Sequence, residues 1–117
     1  MNRNNLRDFC LNLTAAVEEF PFGPDAAVFK VMGKMFALIP VAGDPPSISL
    51  KSDPVEAVML RQMYAAVQAG YHMNKKHWNT IILDVIVPQN RMFEWIDESY
   101  SLVVAGLKKS ERKMFEK

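Results

Sequence analysis

Leu6, Phe9, Cys10, Leu13 and Val17 recur at the three- and four-residue steps of a helix. Asn2 stands where a cap would, so the pattern predicts a first helix over about Arg3–Leu13. Glu18 to Asp25 holds Pro21, Gly23 and Pro24, which stop any regular element, and reads as an acidic loop. Ala27–Val31 and Lys34–Val41 are rich in β-branched and aromatic residues. Met32 and Gly33 part them, and Gly33 can supply the positive φ of a tight turn, so these runs predict a β-hairpin. Gly43, Asp44, Pro45 and Pro46 turn the chain again. Ser47 to Lys51 then alternates polar and apolar, a half-buried third strand with Ile48 and Leu50 inward.

Asp53, Pro54 and Glu56 form the strongest local signal. A capping carboxylate, a proline suited to the first helical position and a glutamate able to reach back predict a second helix to about Tyr64 or Ala66. Its expected buried stripe is Val55, Val58, Met59, Met63 and Ala66. Gly70 breaks the chain before Tyr71. Trp78–Val87 reads as strand, interrupted or ended by Asp84. Pro88 opens a last long helix whose core face is Met92, Trp95, Ile96, Tyr100, Val103 and Val104. Gly106 is read as a left-handed helix stop, with Leu107 folding back toward Leu102. Runs of strands joined by short turns make the fold class α+β: an antiparallel sheet with helices packed on one face and the other face partly open for binding.

Composition narrows this picture. The 117 residues suit a single domain, 1–117, with a basic tail over about 108–117. Hydrophobic residues make up 50% and charged residues 23%, the profile of a folded globular chain. The formal net charge of +1 excludes a histone-like binder. The tail holds five basic and two acidic residues, so any anion-binding surface elsewhere must be local. Lys108, Lys109, Arg112 and Lys113 are read as a solvated helix end. The single cysteine, Cys10, excludes an intrachain disulfide and a multi-cysteine zinc site, and its apolar setting predicts a packed thiol. Residues 1–11 lack the apolar core of a signal peptide. The longest apolar run, Met35–Gly43, falls well short of the roughly 18 residues that span a bilayer, so a cytoplasmic protein without membrane contact is expected.

One stretch differs from routine scaffold: residues 70–80 gather both histidines, two lysines, two asparagines and two large aromatics. Lys75 and Lys76 could contact phosphates, Asn74 and Asn79 could hydrogen-bond, and Tyr71 or Trp78 could stack or pack. The competing reading is a polar loop leading into a buried strand. His72 and His77 lie five apart, which turns them roughly 140° from each other on a helix and to opposite faces on a strand, so no metal site is expected. No nucleophile elbow, phosphate loop or dinucleotide fingerprint is present, and no catalytic residue or cofactor is expected. The adjacent pairs Glu18 with Glu19 and Asp97 with Glu98 diverge in direction and read as solvated faces.

The run Tyr71-His72-Met73-Asn74-Lys75-Lys76-His77-Trp78-Asn79-Thr80 resembles the signature of the MmcQ/YjbR family. Phe20-Pro21-Phe22-Gly23-Pro24, the stretch from Val28 to Ile39, and Trp95 to Tyr100 with Leu102-Val103-Val104 agree with that family in order. One departure is Ala69 before Gly70, where a Pro-Gly pair is common. The resemblance implies a CyaY-like fold and a bacterial, cytoplasmic, "double wing" DNA-binding module; the leading reading is a non-enzymatic one, with an enzyme using His72 or His77 as general base and Asp84 as orienter as a further alternative. Lys30, Lys34, His72, Asn74, Lys75, Lys76, His77, Trp78 and Asn79 are then the candidate DNA-binding residues. Iron of the frataxin kind is not expected, because Asp8 is the only acid between Met1 and Leu13. The alternative is a small-ligand- or protein-binding module in which Tyr71, His72 and Trp78 line a pocket.

Overall fold

Asn2 begins the first element as the sequence requires. Its side chain accepts the Asn5 N–H at 2.9 Å while the Asn5 side chain accepts the Asn2 N–H at 2.8 Å, closing a capping box on α1 (Arg3–Leu11). The computed structural model describes residues 2–70, 73–83 and 87–115. After α1 come β1 (Ala16–Glu19), β2 (Ala26–Val31), β3 (Lys34–Pro40), β4 (Ser47–Lys51), α2 (Pro54–Met63), β5 (Val67–Ala69), β6 (Trp78–Ile82), α3 (Gln89–Ala105), the short α4 (Lys109–Arg112) and a 3-10 turn at Lys113–Phe115. The fold is α+β, as expected. The strands form one antiparallel sheet in the order β1-β2-β3-β4-β6-β5.

The β2–β3 hairpin turns where expected. Met32 and Gly33 have φ of 50° and 81°, the left-handed values that a two-residue hairpin turn needs. A register shift at Phe29/Lys30 lets both Phe36 and Ala37 enter the core. Phe29, Ala37, Ile39, Ile48, Leu50 and Ile81 are buried beneath Leu6 and Cys10 of α1 and Met92, Trp95, Ile96 and Val103 of α3. Contacts of α1, α2 and α3 with the sheet fall on this side, and among the described residues no helix packs on the other. There Ser49 and Thr80 sit opposite each other with hydroxyls 2.8 Å apart. Among the described residues, no helix is long and apolar enough to cross a membrane.

Four expectations change. The stretch from Glu18 reads as loop, but Ala16–Glu19 is a strand, because Val17 and its neighbours can pair with β2 at the sheet edge. Asp53 caps α2 through the N–H groups of Val55 (3.0 Å) and Glu56 (3.2 Å), yet of the expected stripe only Ala66, beyond the helix end, is buried. Ala57 and Leu60 face the core, while Val55, Val58, Met59 and Met63 are 69%, 44%, 52% and 62% exposed. Gly106 ends α3 with φ −89°, right-handed rather than left-handed, and its N–H donates to the Val103 carbonyl at 3.1 Å, a 3-10 bond that tightens the last turn. The expected strand to Val87 ends at Ile82: Leu83 lies outside it, its N–H donating to the Pro46 carbonyl at 2.8 Å, Val87 is not strand, and residues 84–86 lie outside the described residues.

Candidate nucleic-acid interface

The loop before β6 is built by its own backbone. Asn74 accepts at its carbonyl from the N–H groups of His77 (3.2 Å) and Trp78 (2.9 Å), and at Oδ1 from the N–H of Lys76 (2.9 Å). This asparagine-centred turn holds Lys75 and Lys76 outward, and both are exposed. The Gly70 N–H donates to the Trp78 carbonyl at 2.9 Å. A Cβ on Gly70 would lie 3.0 Å from Trp78 Cβ and 3.1 Å from its carbonyl oxygen, so the close approach requires glycine there.

Two neighbours tie the loop to the fold. Ser52 donates its N–H to the His77 carbonyl at 2.7 Å. Arg61 of α2 donates from Nη1 to the Lys75 carbonyl (3.0 Å) and to Asn79 Oδ1 (3.1 Å). Asn79 is 1% exposed, and its Nδ2 donates to the Ala57 carbonyl at 3.1 Å. Its amide is therefore occupied inside the protein. The expected direct contact from Asn79 is corrected: it clamps α2 to β6 and positions the loop.

Sheet register places the other candidates. β3 begins just after the hairpin turn, β4 ends beside it, and Lys51 pairs with Trp78. Lys34, Lys51, Lys75 and Lys76 thus converge on one end of the sheet, with strands about 5 Å apart. Alternation from buried Leu50 puts Lys51 on the open face beside the half-buried Trp78. Lys30 also belongs to the open face, but its Nζ lies 3.2 Å from Glu19 Oε1. Lys34 is exposed and pairs in register with Val31, a core residue, so it leans to the helix side of the same end. His77 is half-buried. His72, Tyr71 and Asp84 lie outside the described residues. Reasoning on the sequence missed Lys51 and Arg61. Lys51 was visible as the outward partner of Leu50, whereas nothing local marks Arg61 as the residue that reaches the loop.

Among the described residues, no cluster of three or more His, Cys, Asp or Glu could hold a metal ion. Burial pushes the Cys10 thiol up to about 12, so it packs as an apolar group.

A family model described as YjbR matches residues 11–102. The uncharacterised protein YbdF of Escherichia coli O157:H7 is 40% identical over 94 residues, covering 80% of this chain and 77% of its own. The uncharacterised protein YjbR of Escherichia coli K12 is 31% identical over 114 residues, 97% of each chain. The crystal structure of Deinococcus radiodurans protein DR2400 superposes with a TM-score of 0.90 at 41% identity, over 97% of this chain and 86% of that one. A Pseudomonas syringae protein solved by a structural genomics consortium gives 0.76 at 28% identity, over 87% of this chain and 98% of its own.

Proposed function

The chain belongs to the YjbR family, and from that premise we propose that it is a non-enzymatic DNA-binding module that holds phosphates at the hairpin end of its sheet. One observation supports the reading: three segments far apart in sequence bring lysines to one end. They are the hairpin tip with Lys34, the close of β4 with Lys51, and the loop with Lys75 and Lys76. Lys34 and the loop stand two strands apart, about 10 Å, a span that flexible lysine side chains can bridge onto neighbouring phosphates of a duplex. Lys30 contributes less, being held by Glu19. His72, Asn74 and His77 add polar contacts, and Trp78 offers an indole edge beside Lys51. Contacts of this kind position a protein on DNA and carry little sequence information.

The test is fluorescence anisotropy of a labelled duplex across a salt series. With about two to four phosphates neutralised, the logarithm of affinity falls against the logarithm of salt with a slope of about −2 to −4. Lys75→Ala/Lys76→Ala, both exposed, leaves the fold intact and flattens that slope by about 2. Affinity indifferent to salt, or unchanged in the double variant, overturns the reading.

A further inference from the structure

Among the described residues, the apolar stripe of α2 is left largely exposed. Val55, Met59 and Met63 recur every four residues, and each is more than half exposed. They form one wall of a groove of 430 Å³ between α2 and α3, with Leu60, Tyr64 and Trp95 beneath. The groove continues along α3 into a second hollow of 380 Å³ reaching Leu102 and Ala105, and the two share Asp53, Glu56 and Glu98. Ten residues of α2 give about 15 Å of length, enough for roughly three turns of a helix.

The charge around this groove has one dominant sign. Asp53 and Glu56 face it from α2, and Asp97 and Glu98 from α3. Arg91 is the single cation lining it among the described residues, and its Nη1 lies 3.1 Å from Glu94 Oε2. An anionic surface, nucleic acid or lipid headgroup, would be repelled. Methionine walls suit a ligand that needs an adaptable apolar seat.

We propose that the α2–α3 groove is a docking site for a cationic amphipathic helix of a partner protein, whose apolar face lies on Val55, Met59 and Met63 while its Lys and Arg flanks meet Glu56, Asp97 and Glu98. The mode is helix-in-groove recognition, with acidic rims supplying orientation and encounter rate. The Glu98 carboxyl is held above the ordinary glutamate range by desolvation and then by the neighbouring Glu56, a crowding that a bound cation relieves. The groove lies on the helix side of the sheet, beginning at Asp53 just beyond Lys51, and the proposal stands or falls without the lysine end.

The probe is a synthetic helical peptide of about fifteen residues, with Leu on one face and Lys and Arg on the other. A matched peptide carries Glu in place of each Lys and Arg. Protein labelled at its methionine methyl groups is titrated with each and followed by NMR. We expect saturable shifts at Met59 and Met63 with the cationic peptide and none with the acidic one. Glu56→Lys/Glu98→Lys weakens binding by about tenfold or more. Met59→Ser/Met63→Ser, both at exposed positions, keeps the folded spectrum and abolishes binding. The proposal is overturned if the acidic peptide binds equally, if Met59 and Met63 do not respond, or if the serine variant binds as well as the parent. It is also overturned if those methyl signals move with protein concentration alone, which makes the groove a contact between copies of this chain.

Discussion

Ser99 stands where two strands part. The ladder between β3 and β4 pairs Ala37 with Leu50 and Leu38 with Ser49, and stops there. One step on, Ser99 Oγ accepts the Lys51 N–H at 2.9 Å and donates to the Phe36 carbonyl at 2.6 Å, fully buried. A helix side chain thus replaces a missing strand-to-strand bond. Ser99→Ala orphans both backbone groups, and we expect it to lower unfolding free energy by about 2–4 kcal/mol, read from urea melts. Cys10 gives a second outcome. Buried and with its thiol pushed up to about 12, it should react with a disulfide reagent at pH 8 about a hundredfold or more slowly than free cysteine. That rate should rise with urea as the fold opens. The packed thiol was legible from the apolar helical spacing around it. Ser99 and Asn79 were not singled out as structural, although each left a trace: a polar residue in an otherwise apolar register, Ser99 among Ile96 and Val103, Asn79 in line with Ile81. Such a residue must bond to buried groups, but the sequence does not say which ones.

At the scale of elements, strong caps and turns were legible and weak edges were not. Asn2, the Met32–Gly33 turn, Asp53-Pro54 and the alternation of β4 each rest on local chemistry that needs no tertiary partner. β1 has four residues, two of them glutamates, and β5 has three. Segments so short carry too little intrinsic preference, and only pairing to β2 and β6 makes them strands. Helix α2 shows the opposite failure. Its period is real, but periodicity does not say whether an apolar face meets the core or remains open. The crowded carboxyls beside it give a pH signature. Glu98 is raised by desolvation and by Glu56, so the folded state holds its proton more tightly than the unfolded chain. That contribution to stability is complete below the ordinary glutamate range and is lost as pH rises through the folded value. Glu98→Gln should therefore be more stable than the parent at pH 7, by about 0.5 kcal/mol or less after solvent screening, and equal to it near pH 4. Urea melts at the two pH values check this, and a variant destabilised at pH 7 contradicts it.

For the whole molecule, a formal net charge of +1 is a poor guide, because the charges are sorted. Acids gather along α2 and α3, and lysines at the hairpin end of the sheet. The basic tail shares that end but lies toward the helices. Phe115 packs 6.2 Å from the Tyr100 ring, and the Tyr100 hydroxyl donates to the Thr14 carbonyl just before β1. Lys51 and Trp78 instead present the open face. At physiological salt the screening length is about 8 Å, so tail charges out on the helix side, unlike Lys34 at the start of β3 itself, add little to phosphates seated at the loop. Two variants separate a local site from a charge effect. Lys75→Ala/Lys76→Ala removes two cations. Neutralising Lys108, Lys109, Arg112 and Lys113 to alanine removes four and takes the formal net charge to −3. If net charge governed association with DNA, the tail variant would suffer more. With the phosphates held at the loop, we expect the salt slope to flatten by about 2 in the loop variant and to stay within about 0.5 of the parent in the tail variant. The reverse order would move the nucleic-acid contact to the helix side of the molecule and leave the loop lysines as solvated surface.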